Sequence, residues 1–234
     1  VVALNLVSNS IGTVNDLERL AGWAHGQGAI FVCDAAQAAP HMRVDVQAMG
    51  CDFLALSGHK MCGPSGIGVL WGRADLLEEL PPWQGGGEMI KQVTFELTTY
   101  NDLPFKYEAG TPNIEGAIAL GAAIDYVNAL GMDNIHAHET RLMRAAEDAL
   151  SSLPGMHFYG PADRSGSLSF LVEGIHHYDL GTLLDQMGIA VRTGHHCCQP
   201  LMARFGITGT VRASFALYNT EKDIESLATA TDKA

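Results

Sequence analysis

"FLALSGHKMCGPSGIGVLW", residues 53–71, decides the fold. An apolar run gives way to a polar bend carrying Ser57, His59 and Lys60, and a second apolar run follows three spaced glycines, Gly63, Gly66 and Gly68. Apolar runs of strand length bounded by turn residues read as buried strands. GPSGIG lacks the terminal GK[ST] of a phosphate loop, so the glycines are expected to allow a tight return into the second strand. A lysine at the end of a buried strand must be paired, solvated or shifted toward the neutral amine. Lys60 is therefore a candidate Schiff-base amine, anion clamp or exposed bystander.

Outward from this bend, the pattern repeats on both sides. Residues 2–7 and the run AIFVCD, ending at Asp34, read as two further strands, separated by a helical pattern over 16–25. Strands that are apolar throughout and alternate with helices predict an α/β layer with a mostly parallel sheet. Asn9, Asp34 and the group 57–60 fall at the C-terminal ends of these strands, where such sheets bind ligands. Residues 81–112 are irregular and long for a plain connection, so they are expected to be partly structured or functional. Helical spacing then runs over 114–130, and a second helix over 133–153. Beyond Met156 come the strands MHFYG, SLSFLV, IAVR and VRASFA, a helix over 178–187, a short helix near Leu201 and a last helix from Glu221, capped by Thr220 with Asp223. The expected division is a large α/β domain over 1–115 and a smaller α/β domain over 116–234.

The 234 residues carry 26 acidic and 14 basic side chains, a formal net charge of -12. That balance argues against nonspecific nucleic-acid or anionic-membrane binding and toward a small-molecule partner. The five cysteines are odd in number and include the neighbours Cys197 and Cys198. Sequence neighbours seldom meet disulfide geometry, so a reducing, cytoplasmic setting is expected. No signal peptide or membrane-length apolar run is visible. A chain that opens inside an apolar strand is expected to have earlier sequence.

Three further groups bear chemistry. Asp34 needs a cation or a protonated ring nitrogen as partner, unless it caps a following helix, and Gln37 lies three positions on. The segment RTGHHCCQP, residues 192–200, invites a zinc reading. Four consecutive side chains do not converge readily on one tetrahedral ion, so no metal is expected. A nucleophilic thiol beside Arg192 or a protonated histidine fits better, against the alternative of two small packed cysteines. Arg212, on an apolar strand, calls for a carboxylate, from the protein or from a substrate.

The pieces VSNSIGT, CDAAQAAPH, LSGHKMCGPSGIGVLW, PPWQGGGEMI, YEAGTPN, VRTGHHCCQPLM and VRASFALYNT run in this order nearly end to end. Together they resemble group II cysteine desulfurases of the SufS type, in the class V aminotransferase-like branch of fold type I pyridoxal-phosphate enzymes. The resemblance implies pyridoxal 5'-phosphate bonded to Lys60, with Asp34 on the pyridine nitrogen, Gln37 at the phenolic oxygen and Ser57 and His59 on the phosphate. Thr111 would reach the phosphate of the partner subunit in a homodimer. Asn9, Arg192 and Arg212 fall on the substrate side, and Cys197 on the persulfide-forming nucleophile. The implied reaction takes L-cysteine to L-alanine and passes sulfur to a SufE-like or SufU-like acceptor for iron-sulfur cluster assembly.

Two departures accompany the resemblance. Cys198 follows the nucleophile where many relatives have a small residue such as alanine. The family fold also has an N-terminal portion ahead of VSN, with a ring-stacking histidine and phosphate donors, and none of it is in these 234 residues. The rival readings are a selenocysteine lyase acting on L-selenocysteine, another enzyme of the same scaffold, or an inactive truncated fragment with a structural role. A thiol at Cys197 favours sulfur transfer over transamination.

Overall fold

A computed structural model describes residues 1–234. The chain forms two compact units: the first comprises Val1–Leu4, Leu17–Ala36 and Asp45–Ala129, the second Asn5–Asp16, Gln37–Val44 and Leu130–Ala234.

The first unit is built on a four-stranded sheet in the order β1 (Val2–Asn5), β2 (Phe31–Asp34), β3 (Phe53–Ser57), β4 (Gly68–Gly72). Strands β2 and β3 run parallel, with Asp34 opposite Ala55, and β4 returns antiparallel to β3. The return is tight: a Cβ on Gly68 would sit 2.6 Å from the Leu56 carbonyl oxygen, so only glycine fits. Helices α1 (Leu17–Gly26), α2 (Val46–Met49), α3 (Ala74–Glu79) and α4 (Ile114–Leu130) accompany the sheet. Asp45 caps α2, accepting the Gln47 and Ala48 N–H groups, and Gly50 in the left-handed region ends it. Phe31, Cys33 and Leu54 supply the sheet's core side, with Ala21 and Ala24 of α1 equally buried. Beneath them, buried Asp52 accepts from the Phe31 N–H at 2.8 Å and from Arg73 Nη1 at 2.9 Å, and bonds His25 Nε2 at 2.9 Å. The irregular stretch 81–112 contains a hairpin, β5 (Ile90–Val93) with β6 (Thr98–Tyr100), and Val93, Phe95 and Leu97 of that hairpin are exposed.

The second unit carries an antiparallel sheet in the order β7 (Met156–Tyr159), β8 (Ser167–Val172), β10 (Thr210–Ser214), β9 (Arg192–Gly194). Helices α5 (Met132–Ser151), α6 (His177–Gln186) and α8 (Glu221–Lys233) pack against it, and α7 (Gln199–Phe205) is the short helix expected near Leu201. Leu142, Leu150, Phe170, Leu180, Leu184 and Val211 are fully buried in its core. Thr220 donates its backbone N–H to Asp223 at 2.8 Å, the cap expected at the start of α8.

Several expectations are corrected. The division does not fall at 115/116: α4 belongs wholly to the first unit, where Leu120 packs on the bend 58–63. Residues 5–16 and 37–44 join the second unit, which is therefore not the smaller one. Gly12 explains part of this. It has φ +69°, and a Cβ there would meet the Ser165 carbonyl oxygen at 2.8 Å, so the loop lies directly on the 164–167 backbone. The run IAVR is not a strand up to its last residue, because β9 begins at Arg192 and its pairing with β10 reaches no further back.

Candidate active site

The candidate residues divide between the units. In the first, Asp34 and Ser57 end adjacent parallel strands, so both lie at the C-terminal edge of the sheet. Asp34 caps no helix. Its Oδ1 accepts the Ala36 N–H at 2.9 Å in a local turn, and the residue is exposed. Ser57 leads into a single 3-10 turn, Gly58–Lys60, and its Oγ shares a hydrogen bond with His59 Nδ1 at 2.9 Å. Lys60 is half-buried. Thr111 is exposed between Gly110, at φ +80°, and Pro112.

This donor set fits pyridoxal 5'-phosphate by its chemistry. A carboxylate suits a protonated pyridine nitrogen, a hydroxyl and an imidazole suit a phosphate, and an amine on a short bend suits an aldehyde.

In the second unit the substrate-side candidates form one hydrogen-bonded group. Arg192 and Arg212 are register partners across β9 and β10. Arg212 donates from Nη1 to the Asn9 carbonyl oxygen, while its buried Nε has no partner. Burial, and then Arg192, lowers the pKa of Arg212 from its ordinary value. Asn9 turns its amide toward the cysteine segment: Nδ2 donates to the His196 carbonyl oxygen at 2.8 Å, and the Cys198 thiol lies 3.7 Å from Oδ1. Cys197 is exposed, with Arg192 Nη2 3.9 Å from its sulfur. The two thiols thus have different neighbours, Arg192 for Cys197 and Asn9 for Cys198. Gln37, expected beside Asp34 at the cofactor, is half-buried and assigned to this unit.

His196 and Thr210 were not foreseen as site residues. The His196 ring is 2% exposed and shares a hydrogen bond from Nε2 with Thr210 Oγ1 at 2.9 Å. Burial, followed by Arg212 and Arg192, lowers its pKa to about 4. It is neutral at pH 7, so His196 is not the protonated histidine expected beside the thiol. Arg192 is the cation in contact. No signal in HHCC separates the buried histidine from the exposed His195.

The aminotransferase class-V family model matches residues 1–227, and the chain belongs to that family, whose members depend on pyridoxal phosphate. Its fold is the α/β type I fold of these enzymes. Among its relatives, the chain is 52% identical over 227 residues to a cysteine desulfurase of Dickeya dadantii, covering 97% of this chain and 55% of that one. The crystal structure of the cysteine desulfurase CsdA from Escherichia coli, in an S-sulfonic acid form, superposes with a TM-score of 0.95 at 45% identity, over 99% of this chain and 58% of that one. The apo cysteine desulfurase of Thermococcus onnurineus gives the same TM-score at 41% identity. The chain spans somewhat more than half the length of the relatives it matches.

Proposed function

We propose that the protein containing this chain is a pyridoxal-phosphate-dependent cysteine desulfurase, which converts L-cysteine to L-alanine and takes the sulfur onto Cys197. The observation that carries this reading is the thiol of Cys197, exposed and beside Arg192, on a segment tied through Asn9 to an arginine with an unpaired Nε.

Lys60, Ser57, His59, Asp34, Gln37 and the partner subunit's copy of Thr111 would hold the cofactor, which when bound supplies an electron sink for a carbanion at the substrate α carbon. Arg212, through its free Nε, together with Arg192 and Asn9, binds and orients the substrate carboxylate. The Lys60 amine, once free, takes the α proton and returns protons later. The Cys197 thiolate attacks the substrate sulfur. The new S–S bond forms as the C–S bond breaks, and the electron pair stays with the carbon skeleton that becomes alanine. The terminal sulfur then passes to a SufE-like or SufU-like acceptor and to iron-sulfur cluster assembly. The working enzyme is a cytoplasmic homodimer.

Borohydride reduction of the complete holoprotein tests the cofactor assignment. The label is expected on the peptide containing Lys60. A label on any other lysine sinks it, and absence of alanine formation from L-cysteine sinks the reaction.

A further inference from the structure

The Cys197 thiol stands at the apex of a strained turn. The Cys198 N–H donates to the His195 carbonyl oxygen at 2.8 Å and closes a four-residue turn. Both central residues are left-handed, His196 at φ 52° and Cys197 at φ 61°. A turn with positive φ at both centres favours glycine, asparagine and aspartate; histidine is also enriched among left-handed residues, whereas cysteine is not. Left-handed non-glycine residues persist where the surroundings over-determine them, and they cluster at functional sites. Here the surroundings are specific. The His196 carbonyl accepts from Asn9, and the ring is buried against Thr210 on β10, the strand that also carries Arg212.

We propose that His196 is a positioning residue, whose bond to Thr210 holds the 195–198 turn in its left-handed form and so fixes where the Cys197 thiol is presented relative to Arg212. This rests on the reading of Cys197 as the sulfur acceptor. The anchor acts through geometry: β10 supplies both the arginine that orients the substrate and the hydroxyl that locates the turn, so thiol and substrate carboxylate share one rigid reference. A misplaced nucleophile loses rate while substrate binding stays intact.

Two substitutions separate the anchor from the backbone preference. His196→Asn keeps a residue that favours the left-handed region but is too short to reach Thr210; His196→Gln reaches with an amide nitrogen but lacks that preference. Hydrogen exchange of the Cys198 amide is measured in the complete protein, with the buried Phe170 amide of β8 as the control for folding. H196N is expected to exchange at least about tenfold faster at Cys198, the scale of one buried hydrogen bond, and H196Q like the parent. In the same pair kcat for alanine formation falls about tenfold in H196N alone, with KM near the parent value. Rapid exchange in H196Q with protection in H196N would overturn the proposal, because turn preference alone would then hold the apex. Unchanged exchange in both would also overturn it. If both are rapid, Thr210→Val decides: fast exchange there supports the anchor, parent-like exchange refutes it. A complete protein that forms no alanine defeats the reading of the reaction, while the exchange result still judges the anchor.

Discussion

Arg192 and Arg212 stand opposite each other across the antiparallel β9–β10 pair, two guanidinium groups in direct register. Like charges directly opposite on a sheet are destabilising, so the pair costs the fold stability. What it provides is a concentrated positive field with a free, buried Nε on Arg212. A small carboxylate is the natural counter-ion.

Arg212→Lys keeps one charge but loses the planar fork. Hydrogen bonds to charged groups are the stronger class, so the expected loss in kcat/KM for L-cysteine is about 10- to 100-fold, mostly in KM. Alanine formation against substrate concentration measures it. Parent-like efficiency would remove Arg212 from the site.

Asp52 bears on stability rather than turnover. Burial pushes its pKa up, but the Phe31 N–H and the hydrogen bonds with His25 and Arg73 outweigh burial and hold it below the usual carboxylate value. A depressed carboxylate stabilises the fold above its unfolded pKa, near 4, and loses that contribution as pH falls through the folded value. Asp52→Asn is expected to lower unfolding free energy by about 2 kcal/mol at pH 7. The gap between variant and parent should close as the pH is lowered below 4. Denaturant titrations of the complete protein at several pH values check both statements, and a gap that widens in acid contradicts them.

Much of this architecture was legible because local pattern and burial agree. The spacing of Gly116, Leu120, Ala123 and Val127 marks one helix face, and α4 spans Ile114–Leu130 as the periodicity predicts. The bend after β3 was legible from glycines that the close approach of Gly68 to Leu56 requires. The β5–β6 hairpin was not, since its apolar residues Val93, Phe95 and Leu97 are exposed and leave no buried alternation. Nor was the placement of residues 5–16, which depends on long-range bonds such as Ser169 Oγ to the Ser10 carbonyl at 2.5 Å. For the site, residue types pointed to Lys60, Arg212 and a thiol of the 192–200 segment, and the family resemblance chose Cys197. The turn that displays Cys197 stayed hidden because His196 and Cys197 carry no turn signal.

Cys197 and Cys198 are separable by environment. Cys197 is exposed beside Arg192, whereas Cys198 is half-buried with its thiol toward Asn9. Cys197→Ala is expected to abolish both the sulfur adduct on the protein and nearly all alanine formation. Cys198→Ala should retain both within about threefold, since it removes only a weak thiol contact. Mass spectrometry under nonreducing conditions, alongside the alanine assay, distinguishes them. The opposite pattern would move the nucleophile to Cys198.

His196 gives the fold an acid-sensitive element. Its folded pKa, about 4, lies below the value near 6.5 of an unfolded histidine. Between those values the unfolded chain binds the extra proton and the folded chain does not, so stability rises with pH across the window and is complete above it. As pH falls from 6.5 to 4, this group alone should cost about 3 kcal/mol, at 1.36 kcal/mol per unit. The physical source is a ring 2% exposed, with the guanidinium groups of Arg212 and Arg192 nearby, so a proton there would be both desolvated and repelled. His196→Gln removes the titration while offering an amide to Thr210. Its unfolding free energy between pH 6.5 and 4 should therefore fall less steeply than the parent's. Urea denaturation at half-unit pH steps gives the two slopes. Parallel slopes would mean that His196 takes up its proton in the folded protein as readily as in the unfolded chain.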